Sequence, residues 1–308
     1  MSWRDKISTP WGIAVFMAGM VLLPMLIYKV GFMYDLKKVT DSSMLHRDTS
    51  IYSQFRDTIS CEKITGHRTI YIARIPVDIF APDSTTAGDI LVLPGWNFSR
   101  KLWCDSTMLC AKAHEMGYRL IFPEMGKSVY ASQYFPETKK EWLGYPKLSW
   151  VTDTLIPLLR KKYCIFSGKK NYVVGLSTGA RGVVRVIAYM PSFFKAGVAL
   201  SGDYDQTKIT YDGVTIGYYG EYASNKQRWA TVDNPTYDIS KINTPLYLGH
   251  GKADQTEPVS QSQNFYNDLK KAHPNLKVEL HVVTNADHNF KYWNSEVDSV
   301  LAFFNRNK

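Results

Sequence analysis

A serine flanked by two glycines offers the clearest chemistry in this sequence. Gly175, Ser177 and Gly179 form a G-x-S-x-G pattern between a β-rich segment, 172–174, and an amphipathic segment, 179–189. A serine on a tight strand-to-helix turn needs small residues two positions away on either side, because larger side chains would collide with neighbouring backbone. Such a turn exposes the hydroxyl at a helix N-terminus, where the dipole favours a developing negative charge. The pattern predicts that Ser177 is a nucleophile.

An acid and a base are expected farther along the chain. A serine hydroxyl becomes a good nucleophile only when a base takes its proton, and a histidine base needs a carboxylate that holds its tautomer. Asp254 follows the apolar segment 246–248, and His288 follows the apolar segment 278–283. Both residues therefore lie in loops after predicted strands. We predict that Ser177, His288 and Asp254 form a catalytic triad.

Other carboxylates and histidines offer alternative assignments. Asp203 and Asp205 follow an earlier predicted strand and would supply the acid in a variant topology. Asp287 adjoins His288 but cannot easily turn back to orient its ring. His250 precedes the predicted acid by four positions, and we expect it to shape the acid loop.

Acyl transfer at a serine also requires two backbone N–H groups that bind the oxyanion. One is expected from Thr178, the residue after the nucleophile, and the other from a loop after an early strand. The segment 91–97 offers that loop, in which Gly95 permits the turn and the amide of Trp96 is the candidate donor. This chemistry implies no metal and no organic cofactor.

The elements that hold these residues are predicted to form an α/β fold. From about residue 89 onward, short apolar runs alternate with helical patterns, as is typical of a mostly parallel sheet with helices on both faces. Such sheets carry their sites at the carboxyl ends of the strands. Two antiparallel strands, 52–60 and 69–75, are expected before this region with a turn near Gly66, and 102–116 is expected to be one helix.

Four segments make residues 90–304 resemble the putative-esterase group of α/β-hydrolases, which includes esterase D-type enzymes, feruloyl and acetyl-xylan esterases, and mycolyltransferases. They are GLSTGARG at 175–182, FKAGVALSGDY at 194–204, PLYLGHGKAD at 245–254, and Asp287-His288 followed by Trp293. The chain order serine, acid, histidine is also that of α/β-hydrolases. The resemblance implies the α/β-hydrolase fold and hydrolysis of carboxylic esters through an acyl-enzyme. The Tyr-rich insert 211–229 has no counterpart in that group.

The expected substrate is a small-molecule or saccharide-linked ester. Seven aromatic residues lie in predicted loops near the site, where stacking on sugars or aryl groups and ordinary packing are equally expected: Tyr130, Tyr134, Phe135, Trp142, Tyr218, Tyr219 and Tyr222. A peptidase or acyltransferase using the same triad is an alternative, although such peptidases usually carry a propeller or large cap, for which this length leaves no room. A catalytically silent, membrane-anchored binding protein is the non-enzyme alternative, which the complete set of triad positions disfavours.

The net charge of +9 raises the question of a nucleic-acid partner. The lysines occur as scattered doublets rather than one stripe, and no zinc-finger spacing or RNA-binding signature is present. We therefore expect solvated surface charge and no nucleic-acid partner, with a patch that attracts an anionic surface or substrate as the alternative.

The N-terminal segment predicts membrane attachment. Residues 11–28 contain no charged residue, and this length is close to the ~20 residues that span a bilayer as a helix. No small-x-small cleavage pattern follows, so we expect an uncleaved signal anchor within 1–32, a linker at 33–48 and a catalytic domain at 49–308. Arg4 and Lys6 favour a cytoplasmic N-terminus and hence a periplasmic or extracellular domain, although Lys29, Lys37 and Lys38 on the other side of the segment weaken this bias. A cleaved, secreted form and a buried helix are the alternatives.

The four cysteines, Cys61, Cys104, Cys110 and Cys164, form no CxxC pair and no metal-ligand set with the histidines. Cys104 and Cys110 are six residues apart within one expected helix, so their side chains would face different directions. We therefore expect buried free thiols.

Overall fold

A central sheet of eight strands organises residues 61–85 and 87–308, which are the residues that the computed structural model describes. The strands are β1 (Gly66–Ile72), β2 (Ile75–Ala81), β3 (Gly88–Leu93), β4 (Tyr118–Pro123), β5 (Asn171–Leu176), β6 (Ala196–Leu200), β7 (Leu246–Gly251) and β8 (Val278–Val283). Their order is β1-β2-β4-β3-β5-β6-β7-β8. The six strands from β3 to β8 run parallel, whereas β1–β2 and β2–β4 are antiparallel pairs. The predicted mostly parallel sheet is confirmed.

Helices cover both faces of this sheet, as predicted. They are α1 (Leu102–Ser106), α2 (Leu109–Glu115), α3 (Ile156–Tyr163), α4 (Thr178–Tyr189), α5 (Gly213–Tyr219), α6 (Lys226–Thr231), α7 (Ser260–Ala272), α8 (Phe290–Ser295) and α9 (Val297–Arg306). Successive side chains of a strand face opposite sides. Leu91 and Leu93 of β3 therefore join the core beneath α3, α4 and α7, whereas Ile90 and Val92 join the core beneath α1, α2, α8 and α9.

The first hairpin turns at a different position from the predicted one. β1 and β2 are joined by Ala73 and Arg74, which have φ values of 49° and 68°. Two-residue hairpin turns favour this left-handed backbone, because it matches the twist of the strands. The prediction of a single strand over 69–75 after a turn near Gly66 was therefore wrong. The turn at 73–74 was missed because neither of its residues is typical of turns. The other predicted strand, 52–60, lies outside the described residues.

The expected single helix over 102–116 is also wrong, because the chain forms α1 and α2 with a break between them. Thr107 is extended there, with φ −141° and ψ 164°. Its hydroxyl accepts a hydrogen bond from the amide of Leu109, the first residue of the second helix, at 3.2 Å. The break brings the Cα atoms of Cys104 and Cys110 to 5.2 Å, within the usual range for a disulfide.

All four cysteines are in disulfides, so the prediction of free thiols is wrong. Cys104 bonds to Cys110, and Cys61 bonds to Cys164 across 103 positions of sequence. The first pairing was missed because the expected helix was taken as unbroken. The second depends on tertiary proximity, which spacing alone does not reveal.

Two inserts, after β4 and after β6, supply a third apolar cluster. We call it the aromatic cap; its buried members are Val129, Ala131, Trp142, Tyr218, Tyr219 and Trp229. The ring of Trp142 stacks on Tyr218 at 5.7 Å and meets Trp96 edge-on at 4.7 Å. Six of the seven aromatics named from the sequence belong to this cluster or pack against it, and Tyr130 lies in the sheet core. Packing on one another is therefore their main contact.

The predicted membrane segment, 11–28, lies outside the described residues. Within residues 61–85 and 87–308, no helix combines the length and the apolar character needed to cross a bilayer.

The two disulfides should contribute unequally to stability. Cys61–Cys164 closes a loop of 103 residues and Cys104–Cys110 one of six, so loop entropy predicts losses of about 5 and about 2 kcal/mol on removal. Denaturant unfolding of the paired Cys→Ser variants, each compared with the parent protein, measures this order. Equal losses, or a larger loss from the short loop, would contradict it.

Candidate active site

Ser177 occupies a sharp turn between β5 and α4. Its backbone has φ 55° and ψ −129°, a conformation that non-glycine residues adopt at a cost on the order of 1–3 kcal/mol. The turn is held from both sides, because the Ser177 amide donates to the Leu200 carbonyl at 2.9 Å and the Ala180 amide donates to the Ser177 carbonyl at 2.8 Å. These two hydrogen bonds fix the backbone of Ser177 in this turn.

The glycines on either side of Ser177 have no space for a side chain. A Cβ at Gly175 would lie 2.2 Å from the Gly179 carbonyl oxygen, and a Cβ at Gly179 would lie 2.4 Å from the Leu93 carbonyl oxygen. Because these contacts are with backbone, no side-chain movement would relieve them. The close approach of strand and helix explains the spacing seen in the sequence.

The structure brings Ser177, His288 and Asp254 together. Ser177 Oγ lies 2.9 Å from His288 Nε2, and His288 Nδ1 lies 2.7 Å from Asp254 Oδ2. Each residue lies beyond the carboxyl end of a strand: β5, β7 or β8. A carboxylate can only accept, so the proton of a neutral His288 resides on Nδ1 and Nε2 accepts from the serine hydroxyl. This arrangement can transfer a proton from Ser177 to His288.

Asp254 is held by a turn that its own side chain closes. Its Oδ1 accepts from the amides of Thr256 and Glu257, at 2.9 and 2.8 Å. His250, which is fully buried, places Nε2 at 3.4 Å from Oδ2 and at 3.0 Å from the Glu257 carbonyl. Burial alone would raise the pKa of Asp254, but hydrogen bonds from His250, His288 and the Glu257 amide outweigh it and hold that pKa well below its usual range. Asp254 therefore stays ionised beside His288 at neutral pH.

The alternative acids have other contacts. Asp203 pairs with Arg181 at 2.5 Å, and Asp205 accepts from the Thr207 amide at 3.0 Å. Asp287 accepts from the backbone amide of His288, at 2.8 Å, rather than from its ring. None of these three carboxylates has a recorded contact with the imidazole in the described part of the chain.

Trp293 supports the imidazole from the side. Its ring meets His288 edge-on at 5.2 Å, and its Nε1 donates to Ser201 Oγ at 3.2 Å. Trp293 thus links the histidine loop to the end of β6, which also anchors the turn at Ser177.

The candidate oxyanion residues Trp96 and Thr178 line one cavity together with Ser177. A Cβ at Gly95 would lie 3.1 Å from Ser177 Cβ, so the loop of Trp96 passes directly beside the nucleophile. The Asn97 amide donates to the Gly126 carbonyl at 2.8 Å. Among the described residues, the loop and turn hydrogen bonds include none from the amides of Trp96 or Thr178, so both stay candidates for binding an oxyanion.

The cavity beside Ser177 has a volume of about 150 Å³. Val129, Ile209 and Val214 form an apolar side, and Arg181 and Glu257 belong to a charged side. Neither of these two charged residues was predicted from the sequence. Their position was the available signal, since Arg181 follows Ser177 by four residues and Glu257 follows Asp254 by three.

The part of the chain that the structure describes contains no candidate metal-binding site. No group of three or more His, Cys, Asp or Glu side chains there is arranged to hold an ion.

Comparison with solved structures supports the fold. The chain superposes on the Staphylococcus aureus fluorophosphonate-binding serine hydrolase FphF (TM-score 0.61, 16% identity), covering 78% of this chain and 99% of that one. It also superposes on an S-formylglutathione hydrolase from Agrobacterium tumefaciens (TM-score 0.62, 14% identity), covering 81% of this chain and 98% of that one. A third match is the Pyrococcus horikoshii acylaminoacyl peptidase (TM-score 0.59, 13% identity), where the superposition covers 83% of this chain and 43% of that one. The predicted α/β-hydrolase fold is confirmed.

Comparison with known sequences identifies the family. No curated protein sequence matches the chain. The model of the prolyl oligopeptidase family, Peptidase_S9, matches residues 153–308, which span half of the chain and include Ser177, Asp254 and His288. The chain therefore belongs to the prolyl oligopeptidase family of α/β-hydrolases.

Proposed function

We propose that this protein is a serine hydrolase that cleaves carboxylic esters through an acyl-enzyme. The observation that carries the proposal is the continuous contact from Ser177 Oγ through His288 to Asp254, with the serine on a left-handed turn beside a cavity. Membership of a hydrolase family independently supports the assignment as a serine hydrolase.

In the proposed reaction, Ser177 Oγ attacks the ester carbonyl and its proton passes to His288 Nε2. Asp254 keeps the imidazole oriented and stabilises its positive charge. The amides of Trp96 and Thr178 bind the oxyanion. His288 then gives the proton to the leaving alcohol, which departs and leaves Ser177 acylated. Water, activated by His288, hydrolyses this acyl-enzyme and restores the serine hydroxyl.

A peptidase is the second candidate, and the family match is the observation that favours it. The chain covers 43% of the acylaminoacyl peptidase, but 99% of FphF and 98% of the S-formylglutathione hydrolase. Rates on p-nitrophenyl acetate and on an aminoacyl p-nitroanilide decide between the two, because the anilide is the substrate that a peptidase would turn over.

We further propose that residues 11–28 anchor the protein in a membrane, with the catalytic domain outside the cytoplasm. The uncharged run, its length and the preceding Arg4 and Lys6 support this proposal.

Ser177→Ala should abolish turnover of p-nitrophenyl esters, because the hydroxyl is the proposed nucleophile. Losses in such triads reach roughly 10⁶-fold in kcat. The parent protein should also react with a fluorophosphonate probe, and the variant should not. A circular dichroism spectrum that matches the parent controls for folding. Esterase activity retained by the variant rules out this nucleophile, and a parent that neither reacts nor turns over is a silent binding protein.

Asp254→Asn should lower kcat by about 10⁴-fold, because the amide favours the wrong tautomer of His288. Asp203→Asn should lower kcat far less, since Asp203 pairs with Arg181 and does not contact the imidazole. Steady-state kinetics of both variants on p-nitrophenyl acetate measure the difference. A larger loss from Asp203→Asn would assign the acid to the loop after β6.

Full-length protein should remain with membranes through high-salt and carbonate washes, because an apolar helix in lipid is not displaced by screening of charges. A chain beginning at Val39 should be soluble and active, since the proposed catalytic residues all lie farther along. Protease added to intact cells or spheroplasts should reach the domain. Release of the intact full-length chain by salt would contradict the anchor, and an N-terminus found beyond Lys29 would indicate a cleaved signal.

A further inference from the structure

The hydroxyl of Tyr130 donates a hydrogen bond to the carbonyl of Pro94 at 2.8 Å. Pro94 follows the last residue of β3 and precedes Gly95 and Trp96, whose amide is the proposed oxyanion donor. The pairing of β3 with β5 ends at Leu93, so the Pro94 carbonyl lies beyond the sheet and takes this hydrogen bond from a side chain. Tyr130 thus holds the peptide unit at which the loop of Trp96 begins.

The Pro94 carbonyl is enclosed between this loop and α4. A Cβ at Gly179 would lie 2.7 Å from the Pro94 oxygen. The ring of Tyr130 packs against the same helix three residues farther on, since a Cβ at Gly182 would lie 2.8 Å from it. Tyr130 is fully buried, and Pro94 is buried as well. A carbonyl in such a place is costly to leave without a donor.

Tyr130 is itself held in an unusual backbone conformation. Its φ is 56°, in the left-handed region that bulky residues seldom adopt. Its amide donates to Ser128 Oγ at 3.1 Å, and that hydroxyl donates to the Pro146 carbonyl at 2.6 Å. Such conformations persist where the surroundings hold them firmly, and they cluster at functional sites. The backbone around Tyr130 is therefore fixed in a way that places its hydroxyl.

The Tyr130 hydroxyl remains protonated. Burial, and then the charge of Glu124, raise the pKa of Tyr130 well above its usual value. The hydroxyl therefore keeps its hydrogen at neutral pH and can donate it to the Pro94 carbonyl across the pH range in which a histidine base titrates.

The start of the loop needs such a restraint because of Gly95. A glycine lacks a side chain, so the peptide units on either side of it rotate more freely than at other residues. The Phe98 amide holds the second unit by donating to the Gly95 carbonyl at 3.2 Å, and Tyr130 holds the first through Pro94. The Trp96 amide belongs to the second unit, so its direction depends on both hydrogen bonds.

We propose that Tyr130 is a positioning residue for the oxyanion site, because its hydroxyl holds the Pro94 carbonyl and so directs the Trp96 amide toward the substrate carbonyl oxygen. Tyr130 is not among the residues that line the cavity beside Ser177, so it acts through the backbone of the loop. An oxyanion donor is effective only when its N–H points at the place that the oxyanion will occupy. This inference rests on the proposed ester hydrolysis.

Tyr130→Phe removes the hydroxyl and keeps the ring against Gly182. In the full-length protein, kcat/KM for p-nitrophenyl acetate should fall by about 10-fold to 100-fold, as expected when one oxyanion donor is misplaced. The pH profile of kcat/KM should keep its parent shape, because the hydroxyl does not contact the triad.

A transition-state analogue reports on the oxyanion directly. When 1,1,1-trifluoro-2-butanone binds, Ser177 Oγ adds to its carbonyl carbon, the carbonyl oxygen becomes an oxyanion and the serine proton passes to His288. Its inhibition constant should rise in Tyr130→Phe by the same factor by which kcat/KM falls, because both depend on the Trp96 amide.

Tyr247→Phe is the matched control. The Tyr247 hydroxyl is also buried and donates to Glu296 Oε2 at 2.6 Å, and Tyr247 does not line the cavity beside Ser177. Denaturant unfolding should show a loss of stability in both variants, whereas Tyr247→Phe should keep the parent kcat/KM and inhibition constant. Parent values of both quantities in folded Tyr130→Phe, or equal losses in the two variants, would overturn the inference.

Hydrogen exchange separates this inference from the proposed reaction, because it requires no turnover. In Tyr130→Phe, a peptide covering 93–98 should exchange faster than in the parent or in Tyr247→Phe, since the bonds from the Asn97 and Phe98 amides would be less firmly held. Unchanged exchange in this segment would also overturn the inference. A parent that cleaves no ester, with faster exchange in Tyr130→Phe, would contradict the proposed reaction and leave the positioning of the loop by Tyr130 standing.

Discussion

The close packing of β5, α4 and β3 holds the backbone of Ser177 in a left-handed conformation. β5 and α4 approach so closely at this turn that Gly175 meets the carbonyl of Gly179, and Gly179 meets the carbonyl of Leu93 on β3. The amide of Ser177 is tied to Leu200 at the end of β6. The strands β3, β5 and β6 thus fix the position of this one turn. The loops that carry Trp96, Asp254 and His288 also follow the carboxyl ends of strands, so they lie at the same edge of the sheet as Ser177.

Two buried arginines on α4 extend the constraint from the turn to the insert after β6. Arg181 pairs with Asp203, and Arg185 pairs with Asp233 at 2.6 Å and also with Asp238. Burying charges is costly, so such pairs add little net stability, but removing one partner destabilises the fold strongly because it leaves the other charge buried and unpaired. Because the helix that begins at Ser177 also carries these arginines, the insert is held in register with the nucleophile. The wall of the cavity is therefore set by the same helix as the reacting hydroxyl.

The parts of this structure that the sequence predicted are those written in local patterns. A glycine must lie two residues from a strained serine, and an acid or histidine must follow a strand, so Ser177, Asp254 and His288 were found from spacing alone. The break at Thr107 was missed because no glycine or proline marks it within the segment 102–116. Pairing of Cys61 with Cys164 depends on two segments that only the folded sheet brings together. Glu257 was missed for the same reason, since its significance lies in the cavity that it faces.

The two carboxylate oxygens of Asp254 face different tasks. Oδ2 lies against the imidazoles of His288 and His250, whereas Oδ1 accepts from the amides that close the turn through Glu257. Keeping Asp254 ionised strengthens both sets of contacts, because hydrogen bonds to a charged acceptor are stronger than those to a neutral one. One ionised carboxylate thus orients the proposed base and, through the backbone, fixes the turn that contains Glu257. A protein that separated these tasks would need two loops in register. Here a single turn after β7 holds both the carboxylate that orients the proposed base and Glu257 of the cavity lining, so the positions of both depend on the same hydrogen bonds.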